Sequence, residues 1–231
     1  MNDGSEALRL ANPAALRPSE YTAALIQVLQ SDPARIRDAR VLEIGSGSGV
    51  VLAATAALGA GSICGVDIEP EAVDAGGLLL RRLGHGAVAE FHCGDMWLPV
   101  AGRRFDLIVA NLPHFPMEPA PVGGRRPTWS SGGTDGRWLL DGFIEGLPMH
   151  LSANGRAVFA HNVFVGLDRT QELAEAHGLS AKVRLTVLVY IPEEKVARMT
   201  PAVLRAENGR SLHRYGPYMF GEVHIVEIAA A

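Results

Sequence analysis

The sequence predicts a doubly wound α/β domain built on a mostly parallel sheet. Short apolar runs alternate with helical patterns along most of the chain, and the first run ends in a cluster of glycines that leads straight into a helix. Size agrees, because 231 residues suit one domain with a sizeable core and are too few for two ordinary ones. Strands that alternate with helices are joined by right-handed crossovers, so the sheet is covered on both faces.

The elements follow in order. Glu20 to Gln30 carries Ala24, Leu25, Val28 and Leu29 at helical spacing behind Ser19, a suitable N-cap. Arg40 to Gly45 is a short apolar strand, and beyond the glycines Val50 to Leu58 is an Ala-rich helix stopped by Gly59. A strand at Ser62 to Val66, a helix from Pro70 to Leu83 and a strand at Ala87 to His92 repeat the pattern. Phe105 to Ala110 is the fourth strand, followed by a loop rich in Pro and Gly from Leu112 to Arg137. A helix from Trp138 to Leu151, a buried strand at Arg156 to His161 and a helix from Asp168 to His177 come next. Two more runs, Lys182 to Ile191 and Glu222 to Ala229, bring the strands to seven. The segment between them, residues 192–221, is too long for a tight turn, so the C-terminal strand is expected as an antiparallel edge strand carrying an insertion. Residues 1–39 would be an N-terminal helical cap on this single domain.

Composition narrows the function classes. Hydrophobic residues make up 48% and charged residues 20%, a globular mixture, and no run approaches the roughly 20 apolar residues that span a bilayer. The opening MNDGSEALRL is acidic where a signal peptide is basic. Cys64 and Cys93 are the only cysteines and show no metal-ligand spacing, so a cytoplasmic protein without a metal is expected. The net charge of -4 gives no overall attraction to phosphate backbones and disfavours nucleic acid as a partner.

The glycine turn reads Glu43-Ile-Gly45-Ser46-Gly47-Ser-Gly49. Glycines here let a ligand approach the main chain ahead of a helix N-terminus. A dinucleotide fingerprint would need its third glycine at position 50, where Val50 stands. Glu43 would also repel a pyrophosphate, whereas it would attract a ligand carrying sulfonium and ammonium groups. A second acid, Asp67 in Gly65-Val-Asp67-Ile68, ends the next strand, where a carboxylate either accepts two ribose hydroxyls or caps the following helix. Gly94-Asp95-Met96 ends the third strand.

This succession resembles the motifs of the class I S-adenosylmethionine-dependent methyltransferases, a Rossmann-like fold. The resemblance implies S-adenosylmethionine as cofactor, with Asp95 against the adenine amino group and a neighbouring apolar side chain against its ring. The exit of the fourth strand, Asn111-Leu112-Pro113-His114-Phe115, resembles the Asn-Pro-Pro-aromatic signature of amino-group methyltransferases. There a planar nitrogen needs acceptors for its N–H groups so that its lone pair lies in line with the methyl group. The Asn111 side chain and the Leu112 carbonyl would supply them. Leu112 replaces the first proline of that signature, and His114 replaces the aromatic, as stacking ring, base or hydrogen-bond donor, unless Phe115 is the ring that stacks.

Arg17-Pro18-Ser-Glu20-Tyr21-Thr22 resembles the entry segment of HemK-like glutamine methyltransferases, and Gly132-Gly133-Thr-Asp135-Gly136-Arg137 resembles their Gly-Gly-x-x-Gly loop. By that resemblance Thr22 lies near the methionine end of the cofactor. Those enzymes methylate a glutamine amide in peptide release factors. The altered acceptor signature points instead to N-methylation of a small metabolite or peptide, with the protein amide or a nucleobase amine as alternatives. Two segments are candidates for touching the acceptor: the loop Phe115 to Gly136, with Arg125, Arg126 and Trp129, and the insertion, with Arg205, Arg214, Tyr215 and Tyr218. The remaining histidines, such as His161 and His224, fall on strands and read as core or surface residues.

Overall fold

A computed structural model describes residues 17–120 and 129–230, which group into two compact units. The first extends to Asn111 and includes His150–Ser152; the second takes in Leu112–Met149 and the chain from Ala153 onward. The first sixteen residues of the expected cap, together with Arg125 and Arg126, lie outside the described residues.

In the first unit, helices α1 (Glu20–Gln30), α2 (Val50–Ala57) and α3 (Pro70–Arg82) accompany strands β1 (Arg40–Ile44), β2 (Ser62–Asp67), β3 (Ala89–Cys93) and β4 (Phe105–Ala110). All pairings are parallel in the order β3-β2-β1-β4, with Arg40 opposite Ser62, Ile63 opposite Ala89 and Val41 opposite Leu107. The near-continuous apolar sequences of β1 and β4 are explained by burial along almost their whole length. Leu42, Ile63, Leu107 and Ile108 from the strands meet Leu25, Leu29, Leu52 and Leu80 from the helices in a fully buried core, each contributing roughly 1.5–3 kcal/mol. Ser19 precedes α1 as expected, and its backbone N–H donates to the Thr22 hydroxyl at 3.2 Å, one half of a capping box.

The second unit holds most of α4 (Trp138–His150) and β5 (Leu151–Asn162), then α5 (Leu167–Ala176), β6 (Leu179–Ile191), α6 (Glu193–Val196), α7 (Pro201–Glu207), β7 (Leu212–Tyr215) and β8 (Tyr218–Ala230). The described residues therefore hold eight strands where seven are expected. The eighth comes from the insertion: β7 forms a tight hairpin with β8 around Gly216-Pro217, with Tyr215 opposite Tyr218 and Gly216 at a φ of +61°. The C-terminal strand is antiparallel as expected, but it is flanked on both sides and does not form the edge. Its residues pair with β5 from Arg156↔Ala229 to Asn162↔Val223 and with β6 from Leu179↔Ala230 to Ile191↔Met219. Val223, Ile225, Val226 and Ile228 are all fully buried, so β8 is apolar on both faces and unsuited to an edge. Strand β6, with Lys182 and Arg184 exposed, has the charged composition of an edge strand instead. Among the described residues no helix is long and apolar enough to cross a membrane.

Candidate active site

The glycine turn between β1 and α2 is built by backbone geometry. Gly45, Gly47 and Gly49 have φ values of 70°, 50° and 75°, the left-handed region that side chains resist. Gly49 is doubly constrained, because a Cβ there would stand 2.8 Å from the Cα of Gly76 on α3. The N–H groups of Gly45 and Ser46 donate to the Val66 carbonyl at 2.8 and 3.0 Å, tying the turn to the end of β2.

Two carboxylates meet at this turn. The Asp67 carboxylate accepts from the N–H of Gly47 at 2.8 Å and of Glu69 at 3.0 Å, so it braces the turn and the start of α3 together. Burial pushes its pKa upward and those N–H groups pull it back. Glu43 is buried beside it. Desolvation first and the Asp67 charge second hold its carboxyl well above the usual range, against an opposing N–H from Leu52. Glu43 Oε2 and Ser46 Oγ are buried with no hydrogen-bond partner among the described residues. A buried carboxylate short of a donor, next to another acid, calls for a cationic group with N–H donors.

The remaining predicted positions surround this turn in sequence. Thr22 is buried on α1, and Ile68 stands 63% exposed just past β2. Gly94 donates its N–H to the Asp67 carbonyl at 2.9 Å, which links the end of β3 to the end of β2. Asp95 is exposed, and Met96 adopts a left-handed φ of 46°, a strained conformation of the kind that gathers at ligand sites. Asn111 follows β4 and is half-buried.

The unit also gathers Cys64, Glu90 and His92, whose ligand atoms lie within 4.8 Å of one another, a grouping invisible in their sequence spacing. The Arg103 guanidinium pairs with Glu90 and lies 3.7 Å from the Cys64 sulfur, occupying the place of a cation. Burial pushes the Cys64 thiol up to about 12, so it is held as a thiol.

In the second unit the acceptor signature continues as a strap laced to the Gly-Gly-x-x-Gly loop. Phe115 N–H donates to the Ser130 carbonyl at 3.0 Å, Gly132 N–H to the Phe115 carbonyl at 2.8 Å and Met117 N–H to the Gly133 carbonyl at 2.9 Å. The glycines are what permit the approach. A Cβ on Gly132 would lie 2.7 Å from the His114 Cα, and one on Gly136, at a φ of +78°, would lie 2.8 Å from the His114 carbonyl oxygen. His114 itself is buried, and its Nδ1 bonds back to the Leu112 carbonyl.

Behind the strap lies a buried network that sequence reasoning missed. The Arg137 guanidinium donates to Asp141 through Nε at 2.8 Å, with Nη2 in ion-pair contact with the same carboxylate at 2.6 Å, and through Nη1 to the Thr170 hydroxyl at 2.8 Å and the Gly166 carbonyl at 3.0 Å. His161 Nε2 lies 2.9 Å from the same hydroxyl, and the residue is fully buried in the core, with Nδ1 buried and without a hydrogen-bond partner among the described residues. The i,i+4 spacing of Arg137 and Asp141 was the available signal.

Desolvation lowers the His114 pKa to about 4 and holds His161 well below its usual value. Both are therefore neutral at physiological pH. Because the folded values lie below the unfolded one, stability is present above about pH 6.5 and lost as pH falls toward 4. The His114 ring resonances should titrate near pH 4, with a loss of roughly 3 kcal/mol from this residue over that window. A melting temperature that stays flat between pH 6.5 and 4 would contradict the assignment.

Comparisons with known proteins fit this geometry. A family described as a methyltransferase domain matches residues 41–122. A Methanocaldococcus jannaschii protein, provisionally named a protein N5-glutamine methyltransferase, is 30% identical over 189 residues, covering 80% of this chain and 90% of that protein. A release factor glutamine methyltransferase of Gloeobacter violaceus is 27% identical over 164 residues, covering 67% of this chain but 56% of the relative, so the chain spans little more than half of that longer protein. The crystal structure of a Pyrococcus horikoshii protein, provisionally titled an RNA methyltransferase, aligns at a TM-score of 0.62 and 17% identity over 100% of this chain and 98% of that one, a likeness of fold. The fold, the glycine turn and these matches together define a class I S-adenosylmethionine-dependent methyltransferase. Within that class, the chain belongs to the HemK-like family of glutamine methyltransferases.

Proposed function

We propose that this enzyme methylates the side-chain amide nitrogen of a glutamine in a protein. The observation that carries the reading is the strap: residues 115–117 are laced to Ser130–Gly133 through a loop that has the HemK-like Gly-Gly-x-x-Gly pattern. The archaeal relative named for that activity supports it. An acceptor of this kind, belonging to the translation machinery, would place the enzyme in the cytoplasm.

S-adenosylmethionine supplies a methyl group on a positively charged sulfur. Glu43, with its buried Oε2, suits the cationic methionine end, and Ser46 has a buried hydroxyl left over for the same ligand. Gly45, Gly47 and Gly49 give the main chain its close approach, and Thr22 closes the methionine end. Asp67 keeps a lone pair on each oxygen for the ribose hydroxyls beside the N–H groups it already accepts. Asp95 takes the adenine amino group, with Ile68 and Met96 as apolar neighbours and Gly94 leaving room.

Asn111 and the Leu112 carbonyl accept the two amide N–H groups and aim the nitrogen lone pair at the methyl carbon. Pro113 fixes the direction of the chain after that carbonyl, and the His114 ring N–H restrains it from behind while leaving its second lone pair free. The N–C bond forms as the C–S bond breaks, and the nitrogen sheds one proton. Asn111→Ala should lower kcat about 100-fold and leave cofactor affinity within a factor of two. Equal loss of both would remove Asn111 from the acceptor role.

A second reading, methylation of a small metabolite or free peptide, is favoured by His114 standing buried where the family signature has an aromatic. Label transfer from methyl-labelled cofactor into fractionated extract separates the two: label in protein supports the glutamine amide, label in small molecules the second reading, and label in nucleic acid a nucleobase amine.

A further inference from the structure

The start of the insertion, from Lys195 to Thr200, grips the strap. Pro116 has no N–H, so the carbonyl is its only hydrogen-bonding group on the main chain. Thr200 takes that group, donating its backbone N–H to the Pro116 carbonyl at 2.7 Å. The Thr200 hydroxyl lies 3.0 Å from the same carbonyl and 2.6 Å from the carbonyl of Thr134. A hydroxyl has a single proton to give, and the shorter distance makes Thr134 its principal acceptor. One residue therefore joins both rails of the strap, the acceptor signature through its N–H and the Gly-Gly-x-x-Gly loop through its hydroxyl.

The Phe115 ring is held from two directions. The Lys195 ammonium sits 3.9 Å from its centre, and the Phe164 ring lies 5.4 Å away, tilted at 59°. Phe164 in turn rests on β8 at Gly221, where a Cβ would stand 2.8 Å from its ring. Side chains alternate along β8, so Tyr218, three residues before Gly221, points to the other side of the sheet, and its cross-strand neighbour Tyr215 goes with it. The strap thus meets the insertion through Lys195 and Thr200, with Met199 buried between them.

Carbonyls along the signature are fixed one after another. The His114 ring holds that of Leu112, the Asn162 side-chain amide donates to that of His114 at 3.4 Å, and Thr200 holds that of Pro116. We infer that Thr200, assisted by Lys195, is a positioning residue for methyl transfer, setting the direction of the Leu112 carbonyl through the strap. This rests on the reading above that the Leu112 carbonyl accepts from the nitrogen to be methylated. A misplacement of about 1 Å in such a group costs up to about 100-fold in rate, so a loosened strap is read in kcat.

The test compares Thr200→Val, which keeps the backbone N–H and the shape but loses the hydroxyl, with Thr200→Ser, which keeps the hydroxyl. With a full-length peptide release factor as acceptor, Thr200→Val should lower kcat about tenfold, with KM for the factor and cofactor affinity within about a factor of two. Thr200→Ser should stay within about a factor of two of the unaltered enzyme. Lys195→Met, whose stem still covers Phe115, should lower kcat about threefold with the other constants unmoved. In Thr200→Val the amides of Phe115, Met117 and Gly132 should exchange hydrogen at least about tenfold faster while those of β8 keep their rates. Unchanged kcat on a factor that is methylated overturns the positioning role and leaves the acceptor reading intact. A fall in kcat matched by an equal loss of cofactor affinity, or faster exchange throughout β8, overturns it as well, because the hydroxyl would then be holding the fold. A factor that the unaltered enzyme does not methylate removes the protein-amide reading. Label transfer from methyl-labelled cofactor into cell extract then replaces the factor, with the same tenfold fall expected and an unchanged rate overturning the role.

Discussion

Replacing Glu43 by Gln is expected to raise the melting temperature of the free protein and weaken S-adenosylmethionine binding at least about 30-fold. The two effects have opposite signs because the same charge is costly in one state and needed in the other. Without a cation, Glu43 is a buried carboxylate beside Asp67 with one oxygen short of a donor, and its pKa is held well above the usual range. A raised carboxyl pKa means that the stability it contributes is present below the ordinary carboxylate range and lost as pH rises through the folded value. An amide of the same shape carries no charge to desolvate. With the cofactor bound, a cation faces the carboxylate, and removing one partner of such a buried pair costs about 2 kcal/mol or more. Cofactor affinity in the native protein should therefore rise with pH as the proton leaves Glu43, and Glu43→Gln should flatten that dependence. Titration calorimetry across pH with parallel thermal unfolding reads both quantities. A variant that is less stable and binds equally well would show that Glu43 is structural.

Arg137→Ala should cost roughly 3–5 kcal/mol of stability, the largest loss expected from any single side chain in the second unit. Arg137 is 2% exposed and bonds Asp141, Thr170 and the Gly166 carbonyl; truncation would strand a carboxylate at 17% exposure and leave the buried Thr170 hydroxyl with His161 alone. Arg169 also contacts Asp141 and would compensate only in part, since its own side chain is largely exposed. Urea denaturation measures the loss, and a double-mutant cycle with Asp141→Ala should return a coupling above about 1 kcal/mol. A loss below about 1 kcal/mol would mean that water takes the guanidinium's place.

The parallel strands were legible to within a few residues because their burial on both faces writes an uninterrupted apolar run, bounded by glycines that only a sharp turn requires. Strand β7 was not. Its four residues, Leu212–Tyr215, are too few for a period, and their partner is set by the turn at Gly216. Asp67 had two readings in the sequence, ribose acceptor and helix cap, and the N–H of Gly47 gives it another task that only the folded turn reveals. The departure at His114 was plain, but its bond to the Leu112 carbonyl and its low pKa come from packing by residues far along the chain. The same holds for Thr170 and His161, which join Arg137 across 33 and 24 residues of sequence.

Strand β8 imposes an order on synthesis. Within its unit β5, β6 and β7 are all hydrogen-bonded to β8, and β8 follows every one of them along the chain. A nascent chain can close the parallel half as soon as β4 emerges, from contacts already made. The antiparallel half has to wait, with β5, β6 and β7 exposing unsatisfied backbone and apolar side chains until Tyr218–Ala230 leaves the ribosome. That interval is when the protein is most exposed to aggregation and most in need of a chaperone.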